Sequence, residues 1–194
     1  MTARNVFIAL GSPRKEANST ILAQRAADGA REAGASVAMF RLHELDIRPC
    51  DACDACKGRK SQGCIIKDDM QRLYPGLRQA DVLIIASPVY WFSFSSQTKL
   101  FMDRWYGLWG AEESQFEGVP FRNKRIGIIL VGGGRDPFSS GAVNAIRTFQ
   151  DAFTYLGSPP IRILYGSASR PGEIRANEEV MAQAYNMGRR LATA

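Results

Sequence analysis

Five short, largely apolar runs punctuate the chain, at residues 6–10, 37–40, 82–86, 126–131 and 161–165, the last broken by Arg162. Between them, apolar residues recur every three or four positions. Ile21, Leu22, Ala26, Ala30 and Ala33 form one stripe, closed by Gly34. Phe101, Trp105 and Leu108 form another, as do Val143, Ile146, Phe149, Phe153 and Leu156, and then Val180, Met181, Ala184, Met187 and Leu191. Apolar runs suit strands covered on both faces, and stripes suit helices packed against them. Strands alternating with helices predict an α/β fold: a doubly wound, five-stranded parallel sheet with right-handed crossovers, in the order 2-1-3-4-5. Ligands in such sheets bind beyond the carboxyl ends of the strands, at the switch point between strands 1 and 3. The loops that follow residues 10, 86 and 131 are therefore the ones to read for chemistry.

Composition narrows the field. With 194 residues, 45% of them hydrophobic and 23% charged, the chain is expected to form one domain over residues 1–194 and to need no staple. No apolar run approaches the roughly 18–20 residues of a membrane span, and residues 1–5 lead into the first strand without a signal peptide's apolar segment. The expectation is a cytoplasmic protein with no membrane partner. His43 is the single histidine, which excludes three-histidine zinc, Rieske and bis-histidine haem sites. It sits in the charged stretch Arg41-Leu42-His43-Glu44 and reads as a surface residue. The net charge of +6 points to an anionic cofactor, substrate or protein partner. The basic residues are scattered, apart from Lys57-Gly58-Arg59-Lys60 and Arg122-Asn123-Lys124-Arg125, and no nucleic-acid-binding signature accompanies them. No nucleic-acid partner is expected.

All three loops are unusual. The first, Gly11-Ser12-Pro13-Arg14-Lys15-Glu16-Ala17-Asn18-Ser19-Thr20, leads directly into a helix. Its hydroxyls, the Asn18 amide and the Arg14 fork surround a helix N-terminus, where free N–H groups favour a phosphate. It contains neither the GxxxxGK[ST] phosphate loop nor GxGxxG. An Asn18 or Ser19 N-cap would account for the same residues without a ligand. The second loop, Ser87-Pro88-Val89-Tyr90-Trp91-Phe92-Ser93-Phe94, crowds four aromatics into eight residues. Such a run normally has to be covered by something: a planar, uncharged ring system is the natural candidate, and an interface or core patch is the alternative. Residues 90–121 hold ten of the 19 aromatics, so both can apply. The stripe of Phe101, Trp105 and Leu108, widened by Met102, Tyr106 and Trp109, predicts a helix covered on more than one side and hence self-association. The third loop, Gly132-Gly133-Gly134, permits close backbone approach to a ligand.

All four cysteines fall within fifteen residues as Cys50, Cys53, Cys56 and Cys64, a C-x2-C-x2-C-x7-C spacing. A disulfide framework does not suit a cytosolic chain of this size. The first three match the start of the bacterial ferredoxin run, in which thiolates hold [4Fe–4S]; there the fourth follows sooner and precedes proline. Four thiolates complete one cluster. A four-cysteine zinc site and an unoccupied remnant are the alternatives.

Gly11-Ser12-Pro13-Arg14 with Asn18-Ser19-Thr20, Ser87-Pro88-Val89-Tyr90-Trp91, Lys99-Leu100-Phe101-Met102-Asp103-Arg104, and the cysteine run followed by Asp68-Asp69-Met70 resemble the iron–sulfur flavoproteins. These belong to the flavodoxin-like NADPH-dependent FMN reductase group. The resemblance extends from residue 5 to about residue 155. It implies a flavodoxin-like sheet with a cysteine-rich insertion after strand 2, here residues 43–67. It also implies FMN, with its phosphate at Ser12, Arg14, Asn18, Ser19 and Thr20 and its ring against Pro88, Val89, Tyr90, Trp91 and Phe92. Gly132, Gly133 and Gly134 would lie nearby, and Cys50, Cys53, Cys56 and Cys64 would hold [4Fe–4S]. Family members are homodimers or homotetramers. The function implied is electron transfer between a carrier such as ferredoxin and an acceptor, with no side chain acting as acid or base. The alternatives are an NAD(P)H-dependent FMN or quinone reductase without a working cluster, and a non-catalytic module with structural zinc.

Overall fold

In the computed structural model, residues 3–57, 61, 63–108 and 120–193 are described. Strands β1 (Asn5–Leu10), β2 (Ser36–Arg41), β3 (Val82–Tyr90), β5 (Arg125–Gly132) and β6 (Arg162–Ser167) run parallel. The short strand β4 (Ser93–Phe94) folds back antiparallel onto β3. The helices are α1 (Asn18–Glu32), α2 (Met70–Gln79), α3 (Ser96–Asp103), α4 (Ala142–Tyr155) and α5 (Glu178–Thr193). The expected five-strand order is corrected: the sheet has six strands, and its path reads β2-β1-β3-β5-β6 with β4 off it, paired to β3. The reason is local. β3 continues past Ala86 because Ser87 and Pro88 pair with Leu130 and Val131, and its end then turns back as β4.

Successive side chains of a strand point to opposite faces, so each apolar run feeds two cores at once. Val6, Ile8, Val82, Ile84 and Ile129 pack with α1 and α5 on one face. Phe7, Ala9, Leu83, Ile85 and Ile128 pack with α2, α3 and α4 on the other. Helices α1 and α5 meet at two glycines. A Cβ on Gly188 would overlap the Ala26 backbone, and one on Gly29 would overlap the Tyr185 backbone, so this crossing tolerates no side chain.

The sequence reading has no counterpart for α2. Pro75 interrupts its donor ladder, yet Met70, Leu73, Tyr74 and Leu77 return at helical spacing and are buried. The apolar stripe from Phe101 onward is a helix only as far as Asp103, followed by a 3-10 turn over Arg104–Leu108. Phe101, Trp105 and Leu108 face this chain's own core. Trp109, which the sequence reading assigns to the same helix, lies outside the described residues. Among those described, no helix is long and apolar enough to cross a membrane.

Lys124 is 5% exposed and donates to the carbonyl oxygens of Arg78 (3.0 Å) and Ala80 at the end of α2. Burial pulls its pKa down to about 8, with Asp81 opposing. Between pH 8 and 10.5 the unfolded chain therefore binds a proton that the folded chain does not, and stability rises with pH across that window. The rise should be on the order of 3 kcal/mol. Urea unfolding at closely spaced pH values should show it in the native protein and show it flattened in Lys124→Met; parallel curves would contradict this assignment.

Candidate functional site

A cleft of about 260 Å³ opens at the carboxyl ends of the strands, beside the β1–β3 switch point. On its first side lie Ser12, Arg14, Asn18 and Ser19. The loop after β1 is anchored from below. The Gly11 amide donates to the Ala86 oxygen (2.8 Å), and the buried Ser95 hydroxyl donates to the Gly11 oxygen (2.6 Å) and pairs with the Thr98 hydroxyl (3.0 Å). A Cβ on Gly11 would collide with those two hydroxyls. Ser95 is also the N-cap of α3, accepting from the Thr98 amide. One serine thus fixes both the loop and the next helix.

Helix α1 begins at Asn18, and its N-cap is Ala17, which has no side chain to cap with. The two side-chain caps considered from the sequence are otherwise placed. Asn18 donates to the Arg170 oxygen (2.8 Å) and accepts from the Ile174 amide (3.2 Å), tying α1 to the turn after β6. The Ser19 and Thr20 hydroxyls are buried with no partner among the described residues, and of the two Ser19 lines the cleft. Buried polar atoms almost always have one. An orphaned pair in the first turn of a helix with no acidic residue there is a fit for an anion. Ser12 accepts from the Arg14 amide (3.3 Å), and the Arg14 side chain is exposed at the rim.

The opposite side of the cleft is formed by Pro88, Val89, Tyr90, Gly132 and Gly133. Gly134 lies back from it, its oxygen held by the Tyr165 hydroxyl (2.6 Å). Trp91 and Phe92 do not line the cleft. They form the β3–β4 turn, both with left-handed backbones (φ 46° and 64°), a conformation that favours Gly or Asn and costs bulky residues free energy. Trp91 is 94% exposed, and Phe92 packs on Gly141 at the start of α4. Ala168, Ser169 and Pro171, which no sequence motif marks, also line the cleft. Their position after a parallel strand at the sheet's carboxyl edge was the available signal.

The cysteines lie between β2 and α2. Cys50 and Cys53 are exposed, Cys64 is partly buried, and Cys56 is buried, which pushes its thiol pKa up. Ala52 and Asp54, between the first three cysteines, both have left-handed backbones (φ 53° each). Cys56 and Cys64 reach the same 3-10 turn. The Cys56 sulfur donates to the Tyr106 oxygen at 3.7 Å, and a Cβ on Gly107 would come within 2.7 Å of Cys64 Cβ. Among the described residues, no three His, Cys, Asp or Glu side chains converge as a single metal ion would require.

Behind Cys64 lies an ion pair that the sequence did not disclose. The side chains of Arg104 and Asp68 have no exposed surface and are joined through both terminal guanidinium nitrogens, Nη1 and Nη2. Burial by itself would raise the Asp68 carboxyl. Hydrogen bonds from Arg104 and from the Arg48 and Met70 amides hold it below the ordinary carboxylate range instead. The Tyr74 hydroxyl donates to the Arg104 oxygen (3.0 Å), and burial pushes its pKa up. His43 is exposed, as expected, beside Gln97. A second, apolar cavity of about 330 Å³ lies between α3 and α4, lined by Met102, Tyr106, Phe121 and Tyr155 among others.

Residues 4–173 match the NADPH-dependent FMN reductase family. An iron–sulfur flavoprotein of Methanocaldococcus jannaschii is 29% identical, over 94% of this chain and 92% of its own. One from Archaeoglobus fulgidus is 36% identical, over 72% of this chain and 67% of its own. Among solved structures, the NAD(P)H:quinone oxidoreductase from Methanothermobacter marburgensis shares the fold, with a TM-score of 0.74 at 16% identity over 100% of this chain and 98% of that one. A doubly wound sheet with an anion-ready loop at its switch point, matched across most of its length, places this chain in the NADPH-dependent FMN reductase family, among its iron–sulfur flavoproteins, as a flavin-dependent oxidoreductase.

Proposed function

We propose that residues 1–194 form a single FMN-binding domain that also carries a [4Fe–4S] cluster, in a cysteine-rich insertion over residues 43–67. The protein would pass electrons between a carrier such as ferredoxin and an acceptor. The observation that carries the cluster is the gathering of Cys56 and Cys64 onto the turn over Arg104–Leu108, next to a loop strained at Ala52 and Asp54. Left-handed backbone at non-glycine residues costs free energy and clusters at ligand clamps and active sites. Cys50, Cys53, Cys56 and Cys64 would hold the cluster, and an all-thiolate donor set suits iron–sulfur chemistry.

The FMN phosphate would sit on the α1 N-terminus, taking the idle hydroxyls of Ser19 and Thr20 with Ser12 and Arg14 beside it. Pro88, Val89, Tyr90, Gly132 and Gly133 would bound the ring. Together the two groups supply conversion between paired and single electrons. The protein's own part is to bind, orient and shield, and no side chain in the cleft is required as an acid or base. The net charge of +6 favours an acidic carrier, and reduction by ferredoxin should slow as salt is added. The apolar cavity between α3 and α4 supports assembly as a homodimer or homotetramer, and the protein would work in the cytoplasm.

Metal and flavin analysis of anaerobically purified protein tests the reading. About four irons, four acid-labile sulfides and one FMN per chain are expected. Sedimentation of the same preparation should give a dimer or tetramer; a monomer at micromolar concentration would contradict the assembly. The family match favours one further reading, an NAD(P)H-dependent FMN or quinone reductase. FMN without iron after attempted reconstitution, together with rapid anaerobic bleaching by NADPH, would select it. Zinc without FMN would dismiss both.

A further inference from the structure

Cys64 differs from the other three cysteines in what surrounds its sulfur. The Nη2 of Arg104 lies 3.3 Å away and donates to it. Cys50 and Cys53 are exposed, and Cys56 faces a backbone carbonyl. A guanidinium has five N–H groups, and four of those on Arg104 are engaged. Nη1 serves the Arg48 oxygen (2.9 Å) and Asp68, and Nη2 serves Asp68 (3.2 Å) and the sulfur. Asp68 is itself held by the Arg48 amide (2.9 Å) and the Met70 amide (3.0 Å). Both Nη groups are thus fully used, the second Nη2–H on Cys64, and Nε–H is the one left without a partner among the described residues.

Stability does not account for this arrangement. A buried ion pair is commonly no better than well-packed apolar residues of the same volume. What the pair does deliver is an N–H dipole at a cysteine sulfur, with the arginine's charge cancelled by Asp68. Hydrogen bonds to ligand sulfurs are among the features that set a cluster's reduction potential. The reduced cluster carries one more negative charge, so a donor to sulfur stabilises it more than the oxidised form and raises the potential.

We propose that Arg104, locked by Asp68, is a positioning residue for Cys64, and that its N–H···S bond orients this ligand and raises the potential of the cluster. The inference rests on the cluster reading above. Its test is a redox titration of holoprotein, following cluster and FMN separately by electron paramagnetic resonance and visible absorption. The variant is Arg104→Met with Asp68→Leu, which removes the bond, leaves no buried charge and keeps the net charge. Its cluster should be at least tenfold harder to reduce, a fall of about 59 mV for one electron. The FMN potential should stay in place.

Arg104→Lys, which retains a charge for Asp68 but not the fork, should move the cluster potential in the same direction. It serves as the second variant if the first does not retain iron. Iron-loaded variants within twofold of the native equilibrium would overturn the proposal, as would equal shifts in both cofactors, which mark general loosening. If both variants keep FMN but lose iron, Arg104 is required for assembly and the tuning role falls. Native protein that binds FMN and takes up no iron would instead overturn the cluster reading itself.

Discussion

Replacing Ser19 by alanine and Thr20 by valine together should weaken FMN binding by about 10²–10⁴-fold without weakening the apoprotein. Each hydroxyl is buried and has no partner among the described residues. A hydrogen bond to a charged group contributes about 1.5–3 kcal/mol, so two to a phosphate amount to roughly 3–6 kcal/mol. In the empty protein the same hydroxyls are desolvated without compensation, so removing them leaves folding unharmed or improves it. Fluorescence titration of apoprotein with FMN gives the first quantity, and urea unfolding gives the second. Unchanged affinity would move the phosphate away from this loop. Reduced apoprotein stability would mean the hydroxyls have structural partners.

Asp68→Ala should be the most damaging single substitution near the cysteines. It strands the Arg104 guanidinium with no exposed surface and no carboxylate, and breaking one side of a buried pair costs about 3–5 kcal/mol. In a chain of this size each kcal/mol lowers Tm by about 2–4 °C, so a fall of roughly 6–20 °C is expected. The Arg48 and Met70 amides lose their acceptor as well. Exchanging both partners for apolar residues, Asp68→Leu with Arg104→Met, should recover most of the loss. Calorimetry on the three proteins, all in the apo form, checks the contrast. Equal destabilisation by the single and double variants would mean that the backbone hydrogen bonds to Asp68, rather than the stranded charge, hold this region together.

The parts legible in the sequence were those whose causes lie close together along the chain. The runs around Ile8, Ile84 and Ile128 are apolar on both faces because helices cover both. Helices α1, α4 and α5 carry their stripes in consecutive turns. Helix α2 is not legible in the sequence because Pro75 argues locally against it, while Leu73 and Leu77 find their reason only in the core they fill. The β3–β4 turn is not legible either, because Trp91 and Phe92 are poor choices for a left-handed turn.

The candidate site divides in the same way. The polar loop after β1 and the C-x2-C-x2-C-x7-C spacing already named an anion and an iron–sulfur donor set, since both depend on neighbours in the chain. Which of those polar groups stays available was another matter. Asn18 is occupied by a turn more than 150 residues away, while Ser19 beside it is left idle. Arg104 reaches Cys64 across 40 residues and Asp68 across 36. Local pattern settles which elements form and which chemistry is on offer, because propensity and periodicity act within a few residues. Folding alone settles which donors are used up and which remain for a ligand, because a buried polar atom finds its partner in space, wherever that partner lies along the chain.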